Sequence, residues 1–402
     1  MKTIIEINGI NYSSTGNIAL NIAKELRNNG FKVYTACKKS RLGMKFQYED
    51  QIFIGTWFDR IISERLAMLT GKKGCYNVLN TVLFINKLKK LKPDLIHMHL
   101  LHDTFINLEM LFKYISKNNI PVIWTLHDCW AFTGQCSYFD AVNCNKWIDG
   151  CYDCPQIKIY PKTYFIDNSR NMWKKKKEWF NLPKNMTIVT PSIWLKDLVK
   201  KSFLKDYPTK VIYNGINLEK FKPTSSNFRK QYNLEDKHVL LGVAYQWDER
   251  KGIDYFIRLA NELPDNYRIV LVGTNDELDK VLPSKIISIH KTYNQDELVK
   301  IYSASDLFVN PTRQDNFPTV NIEALACGIP VLAFRTGGCP EIINEKTGSI
   351  VEKNDFDSLK TEIIRICETK PFKTEDCLTT AKNYEMSAKY KEYAELIKEI
   401  LA

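Results

Sequence analysis

The stretch Asp315-Asn316-Phe317-Pro318-Thr319-Val320-Asn321-Ile322-Glu323-Ala324-Leu325-Ala326-Cys327-Gly328-Ile329-Pro330-Val331 decides how the chain is read. It runs from a strand end through a tight polar turn into a helix that starts near Thr319, and a new apolar strand opens at Pro330. Two carboxylates, Asp315 and Glu323, stand eight positions apart. A turn that enters a helix aims backbone N–H groups and the positive end of the helix dipole at whatever lies before it, so a hexose hydroxyl or a phosphate oxygen fits there. Glu323, in the first turns of the helix, can accept two hydrogen bonds from a ribose diol. Taken alone, Glu323 reads as well as a surface helix residue, and Asp315 as a helix N-cap compatible with sugar binding.

Outward from this stretch, strands and helices alternate almost throughout, the pattern of an α/β protein with parallel sheets and crossover helices. In the first half, strands are expected at 3–9, 31–37, 94–100, 121–127 and 186–191, with helices at 17–29, 77–91, 104–118, 169–180 and 193–203. After a strand at 210–216, the second half repeats the pattern. Its strands are at 238–245, 267–273, 286–290, 307–311, 330–334 and 348–352, and its helices at 251–262, 295–304, 319–327 and 355–368. The 402 residues therefore divide into two Rossmann-like domains, 1–208 and 209–382, with a hinge near 205–222. A last helix within 383–402 is expected to return to the first domain. The stretch 129–168 breaks the alternation and reads as an insertion over the carboxyl ends of the strands, where open α/β sheets bind ligands.

The formal charge of +11 is uneven. Residues 1–190 carry 27 Lys and Arg against 15 Asp and Glu, and the remainder 30 against 31. The basic residues gather in Arg60–Lys92, interleaved with Trp57, Phe58, Ile62, Leu66, Leu69, Val82 and Leu83, and in Lys174–Lys177, flanked by Trp173, Trp179 and Phe180. Basic amphipathic helices of this kind suit an anionic membrane surface, although a solvated helix packed on its own domain has the same composition. No nucleic-acid-binding motif accompanies the charge. Glu6 interrupts the first apolar run, which argues against a signal peptide, and no run is long enough to span a bilayer, so a cytoplasmic protein is expected, peripheral on the inner membrane. Cys136, Cys144, Cys151 and Cys154 end in a CxxC knuckle; four thiolates at this spacing could close a structural zinc site, and partly buried thiols are the plainer reading.

The acidic-x7-Glu pattern followed by Ala-Leu-Ala-Cys-Gly-Ile-Pro-Val resembles the signature of the family 4 retaining glycosyltransferases of GT-B architecture. Supporting motifs follow in order over nearly the whole chain: Pro93-Asp94-Leu95-Ile96-His97, Thr125-Leu126-His127-Asp128, Val211-Ile212-Tyr213-Asn214-Gly215-Ile216, Arg250-Lys251-Gly252 and Gly337-Gly338-Cys339-Pro340-Glu341. The His-Asp-x-Trp-x-Phe-Thr-Gly run and the Cys-bearing loop resemble bacterial enzymes that build surface polysaccharide, of the colanic acid or exopolysaccharide kind.

The resemblance implies two domains facing each other across a deep cleft, with the active site in it. Glu323 would bind the nucleotide ribose and Asp315 the donor sugar, with Asn316, Phe317, Pro318 and Thr319 as a backbone cradle; Pro318 can offer only its carbonyl. Lys251, with Arg250 beside it, would meet the diphosphate. His127 would lie against the sugar near the scissile bond, and Gly16 would let the first loop approach the diphosphate. The loop after Gly273 and the segment 290–294 would frame the base. In this chain the usual Glu is Asp315, and the basic residue usual after the first strand of the second domain is replaced by Tyr245 or Gln246, so Arg250 must supply the second charge. His97 reads as structural, and His99 as facing the acceptor. The implied activity is transfer of a hexose from a nucleotide-diphosphate sugar to a sugar acceptor, lipid-linked, without a catalytic cofactor. A nucleotide-sugar epimerase of the same fold and a non-catalytic sugar-nucleotide binder are the alternatives. An epimerase would yield product sugar with no acceptor present, whereas a binder would show no turnover.

Overall fold

The computed structural model describes all residues except Phe46, Gln47, Glu49 and Tyr293, and all of their side chains except that of Trp57. The chain forms two compact units, Met1–Ile212 with Tyr390–Ala402, and Tyr213–Lys389.

Among the described residues, the first unit holds a seven-stranded parallel sheet in the order β3-β2-β1-β4-β5-β6-β7. Its strands are β1 (Thr3–Ile7), β2 (Lys32–Lys38), β3 (Gln51–Ile54), β4 (Leu95–Met98), β5 (Val122–Thr125), β6 (Met186–Thr190) and β7 (Thr209–Val211). Helices of eight or more residues cross between them: α1 (Ser13–Asn28), α2 (Trp57–Thr70), α3 (Val78–Leu91), α4 (Leu108–Lys117), α5 (Ser169–Phe180) and α6 (Ile193–Lys201). β4 and β5 are buried at every position, as central strands covered on both faces must be. Two expectations change here. The strand expected at 210–216 in the second domain pairs with β6 in the first sheet, which moves the unit boundary to Ile212–Tyr213. Strand β3 was not expected at all; it is four residues long, too short to show a period.

Among the described residues, the second unit holds a six-stranded parallel sheet, β10-β9-β8-β11-β12-β13. All six expected strands form: β8 (His238–Val243), β9 (Tyr267–Val272), β10 (Ile286–Ile289), β11 (Leu307–Asn310), β12 (Val331–Phe334) and β13 (Gly348–Val351). Its longer helices are α7 (Ile253–Glu262), α8 (Gln295–Ser303), α9 (Thr319–Ala326), α10 (Phe356–Thr369) and α11 (Thr374–Lys382). The last helix, α12 (Met386–Leu401), belongs to the first unit from Tyr390 onward, as expected of a returning helix. In each sheet the strand order reverses beside the unit's first strand, between β1 and β4 and between β8 and β11. Ligands of doubly wound sheets bind outside the carboxyl ends of the strands at such switch points.

The two basic clusters part ways. In α5 the run Lys174–Lys177 does not border an exposed apolar face, because Trp173, Trp179 and Phe180 are core residues. Lys176 is itself fully buried. Its Nζ donates to the carbonyls of Trp130 (2.7 Å) and Thr133 (3.0 Å) and lies 3.3 Å from the centre of the Trp130 ring. That lysine pins the start of the irregular stretch 129–168 to the domain, an internal packing role in place of the membrane role expected for the cluster.

Candidate functional site

In the second unit the motif residues collect around the start of α9. The helix is capped at Pro318, not at Asp315; the Asp315 side chain turns away and accepts from Lys251 Nζ at 2.6 Å. Lys251 ends a short turn, Glu249–Lys251, whose own cap is the Asp248 carboxylate. Arg250 Nε lies 3.7 Å from Asp248 Oδ2. Its backbone carbonyl accepts from Arg313 N at 2.8 Å. The Arg313 guanidinium grips both Asp254 oxygens at 2.7 and 2.6 Å, so the Arg250–Lys251 turn is tied to the chain that leads into Asp315. Nothing in the sequence patterning marked Arg313 for this task.

Asn316 and Phe317 are buried. Phe317 stacks on Tyr213 at 5.0 Å, so its part in the cradle is to wedge the turn in place. Gly337 is needed for the same turn: at φ 52° its Cα hydrogen faces the Asp315 carbonyl, where a Cβ would stand 1.7 Å from the oxygen. The next residue, Gly338, donates its N–H to Asn316 O at 2.8 Å. Thr319 and Val320 open the helix, where N–H groups have no partner within the helix itself, and no acidic residue of the first turn competes for them. Gly273 follows β9 at φ 93°, so close to Ala244 O that a Cβ would meet it at 1.7 Å; it lets the loops after β8 and β9 pack together. Tyr245 is almost wholly exposed. His290 pairs with Asp279 at 2.6 Å, and Tyr293 of the same expected segment lies outside the described residues.

Glu323 is half-buried, and burial raises its pKa to about 7. Tyr302 works the other way, donating its hydroxyl to Glu323 Oε2 at 3.1 Å. A carboxylate that is costly to keep charged and has few protein donors is ready to accept hydroxyl donors from a ligand. An open groove of about 1010 Å³ along β13 and α10 contains none of these residues.

In the first unit the site candidates stand at the carboxyl ends of β4 and β5. Glu6 and His97 are register partners on β1 and β4, and His99 lies two residues on, which returns it to the same face. Glu6 Oε1 meets His97 Nδ1 at 3.0 Å, and Glu6 Oε2 meets His99 Nε2 at 3.0 Å. His99 Nδ1 then meets His127 Nε2 at 3.1 Å. His97 Nε2 lies 2.8 Å from Thr125 Oγ1, which is 3.4 Å from Tyr393 of α12. Burial by itself would raise Glu6, but the two imidazoles hold it at about 2. Burial lowers His99 to about 4 and His127 to about 3. The carboxylate is therefore charged and both rings are neutral near pH 7. Protons then run one way, from His99 Nε2 to Glu6 and from His127 Nε2 to His99 Nδ1, which leaves the lone pair of His127 on Nδ1. Beside it, Asp128 Oδ2 lies 3.2 Å from His102 Nε2. His99 thus faces inward to His127, and His97, expected to be structural, is fully buried between Glu6 and Thr125. Glu6 and the two alternate histidines were legible as polar residues in buried strands; their pairing needed the register.

These neutral rings predict a pH profile. The unfolded chain takes up protons on histidine near pH 6.5, while the folded chain resists until about 4 or 3. The unfolded state binds more protons in that window, so stability falls as pH drops from 6.5 towards 4, and Glu6 extends the loss below 4.5. Thermal unfolding of the parent should show this slope, and His99→Asn should flatten part of it. A parent profile level between pH 6.5 and 4 would contradict the assignment.

Gly16 is not in a loop: α1 begins at Ser13, and Gly16 is buried in its first turns. A Cβ there would stand 2.9 Å from the Asn11 carbonyl carbon, so the glycine serves close packing of the helix on the loop before it. Cys136, Cys144, Cys151 and Cys154 line one small cavity with Phe139 and Trp147. Cys136 and Cys154 are hydrogen-bonded to each other, and Gly134 N donates to Cys151 Sγ at 3.0 Å. Among the described residues, the groups whose ligand atoms converge within 4.8 Å are Glu6, His97, His99 and Asp276, Asp279, His290, not the cysteines.

Residues 15–220 match the model of glycosyltransferase family 4, and residues 224–395 that of the group 1 glycosyl transferases. The chain belongs to glycosyltransferase family 4. A putative colanic acid biosynthesis glycosyl transferase, WcaC of Escherichia coli K12, is 24% identical to this glycosyltransferase over 271 residues, 65% of each chain. An uncharacterized glycosyltransferase of Methanocaldococcus jannaschii is 30% identical over 205 residues, 47% of this chain and 53% of its own. The alignments thus span less than two thirds of these relatives. Among solved structures, sucrose-phosphate synthase from Thermosynechococcus elongatus superposes with a TM-score of 0.72 at 18% identity, covering 100% and 99% of the two chains. HepE of Anabaena, in complex with UDP, superposes at 0.71 and 14%, covering 99% and 100%. The fold of this family 4 glycosyltransferase is GT-B, with two Rossmann-like α/β domains.

Proposed function

We propose that the protein is a retaining hexosyltransferase that takes a hexose from a nucleoside-diphosphate donor to a sugar acceptor, a lipid-linked intermediate of cell-surface polysaccharide assembly, on the cytoplasmic side of the membrane. The observation that carries this reading is the half-buried Glu323, set on the same helix start as the Asp315–Lys251 pair. The likeness to WcaC, a putative colanic acid biosynthesis glycosyl transferase, and the UDP held by HepE support it.

In the proposed reaction Glu323 accepts the ribose hydroxyls, and Asp315 accepts from the sugar. Lys251, Arg250 and the first amides of α9 stabilise the charge that builds on the diphosphate as the bond from anomeric carbon to phosphate oxygen breaks. The acceptor oxygen forms its bond to that carbon on the same face, and its proton passes to the departing phosphate. The products are the extended glycan and the nucleoside diphosphate. His127, kept neutral by burial and oriented by its bond to His99, lies against the donor sugar. No catalytic metal enters this scheme, so turnover should persist in chelator.

The test is a thermal-shift and transfer screen of the purified protein against UDP-, GDP- and dTDP-hexoses. One donor should raise the unfolding temperature and be consumed when acceptor is added. Failure of every donor to bind would sink the proposal, and release of an isomerised sugar without acceptor would convert it to an epimerase.

We also propose a structural zinc on Cys136, Cys144, Cys151 and Cys154, supported by their shared cavity and by backbone donors to two of the sulfurs, Gly134 to Cys151 and Gln156 to Cys154. Binding would draw the sulfurs closer than they stand here. Protein purified without added metal should carry about one zinc per chain; folded protein with none would leave a packed thiol cluster.

A further inference from the structure

Helix α2 is turned inside out. Its inward positions Ser63 and Ala67 are small and buried, while Ile62, Leu66 and Leu69 are exposed, Ile62 at 56%. With Phe58, these positions are spaced four, four and three residues apart, one stripe of a helix. Helix α3 buries Thr81, Phe84 and Leu88 yet also exposes Val78, Leu79, Val82 and Leu83, with Leu79 at 80% and Leu83 at 67%. The loop at Tyr164, Phe165 and Ile166 adds a third exposed apolar group, Phe165 at 81%.

These three pieces adjoin. Asn80 of α3 is bonded to the Asp59 carboxylate at the start of α2. At the other end of α2, Tyr164 N reaches Met68 O at 2.9 Å and Asn168 Nδ2 reaches Thr70 O at 2.8 Å. Soluble surfaces scatter their large apolar residues, and a joined set of this kind marks an interaction face.

We propose that this face docks the protein on an anionic lipid bilayer, which deepens the reading of a lipid-linked acceptor and rests on it only for its purpose. Charge selects the partner. Residues 57–92 hold eight basic side chains against the two acidic ones, Asp59 and Glu64, and Lys158 and Lys162 flank the loop. The cores of protein interfaces are depleted in lysine, whereas apolar tips among lysines and arginines fit the boundary between acyl chains and anionic headgroups. Protruding side chains exposed by two thirds or more can enter lipid without a shaped groove. Among the described residues, no helix is long and apolar enough to cross a membrane, so attachment here is from one side.

The test is flotation of the full chain with phosphatidylcholine vesicles made with and without phosphatidylglycerol. The parent should float with the anionic vesicles and lose most of that association in about 0.5 M salt, where charges are screened. Leu79→Ser/Leu83→Ser should weaken the association at least about tenfold, and Lys87→Glu/Lys90→Glu likewise, each with an unchanged unfolding temperature. Equal flotation of parent and both variants, or none of the parent, overturns the proposal. A dimer of the parent dissolved by Leu79→Ser/Leu83→Ser overturns it too, and gives the face to a second copy of the chain. The donor thermal shift is read on the same samples: its absence would strike the transferase reading and leave the lipid result standing.

Discussion

Glu323→Gln should lower donor affinity roughly 150-fold, about 3 kcal/mol, while leaving the protein folded. The substitution keeps the side chain's size and an oxygen to accept from Tyr302 (3.1 Å in the parent), but removes the charge and one of two acceptors. Hydrogen bonds to a charged acceptor contribute about 1.5–3 kcal/mol each, so the loss exceeds what a neutral contact could explain. The pH dependence makes the assignment specific. Because burial lifts Glu323 to about 7, its charged fraction grows between pH 6 and 8, and the parent's donor affinity should grow with it. In Glu323→Gln that dependence should vanish. Tyr302→Phe removes the bond that favours the charged form, so its affinity should be poor at pH 7 and recover at higher pH. The stability sign is opposite. A carboxyl raised above its unfolded value binds more protons when folded, so without donor Glu323 by itself subtracts stability as pH rises from 4.5 to about 7, against the larger opposite contribution of His99 and His127. Glu323→Gln has no charge to bury and should be the more stable protein at pH 8. Donor affinity equal to the parent's, measured by calorimetry across this range, would remove Glu323 from the site.

Lys251→Met should reduce kcat by roughly a hundred- to a thousandfold, with a smaller effect on KM. Its ammonium is the charge that would meet the diphosphate as negative charge develops, an interaction stronger in the transition state than before it. Without ligand, the lysine spends its charge on Asp315 at 2.6 Å. Both side chains keep about a fifth of their area exposed, and a pair so placed contributes up to about 1 kcal/mol. The variant should therefore unfold within a few degrees of the parent, which separates lost chemistry from lost structure. Lys251→Arg should restore part of the rate. A Lys251→Met enzyme with kcat within threefold of the parent would shift the role to Arg250 or to the α9 amides.

Much of the second unit was legible in the linear sequence. Its strands are apolar runs bounded by Gly, Pro and polar turns, and all six appear near their expected places. The first unit was harder. Strand β3 is too short for a pattern, and α2, which is absent from the expected helices, puts its large residues outside and small ones inside, so it has no apolar stripe facing the core. The resemblance puts Gly16 in a loop before a helix expected at 17–29, whereas the helix opens at Ser13 and packs on Asn11.

Local order along the chain determined the fold class and its two alternating halves, because turns, caps and buried strands act over a few residues, and the resemblance of its motifs to family 4 is what implied Glu323, Asp315, Lys251 and His127 as a set. Only the tertiary structure decided what those residues face. Asp315 meets Lys251 across 64 positions, Glu6 meets His99 across 93, and Tyr302 meets Glu323 across 21. It also separated two basic clusters of like composition, burying Lys176 beneath Trp130 and leaving Leu79 and Leu83 in the open. Burial and pairing are properties of packed neighbours, and composition along a helix does not say which side the core will take.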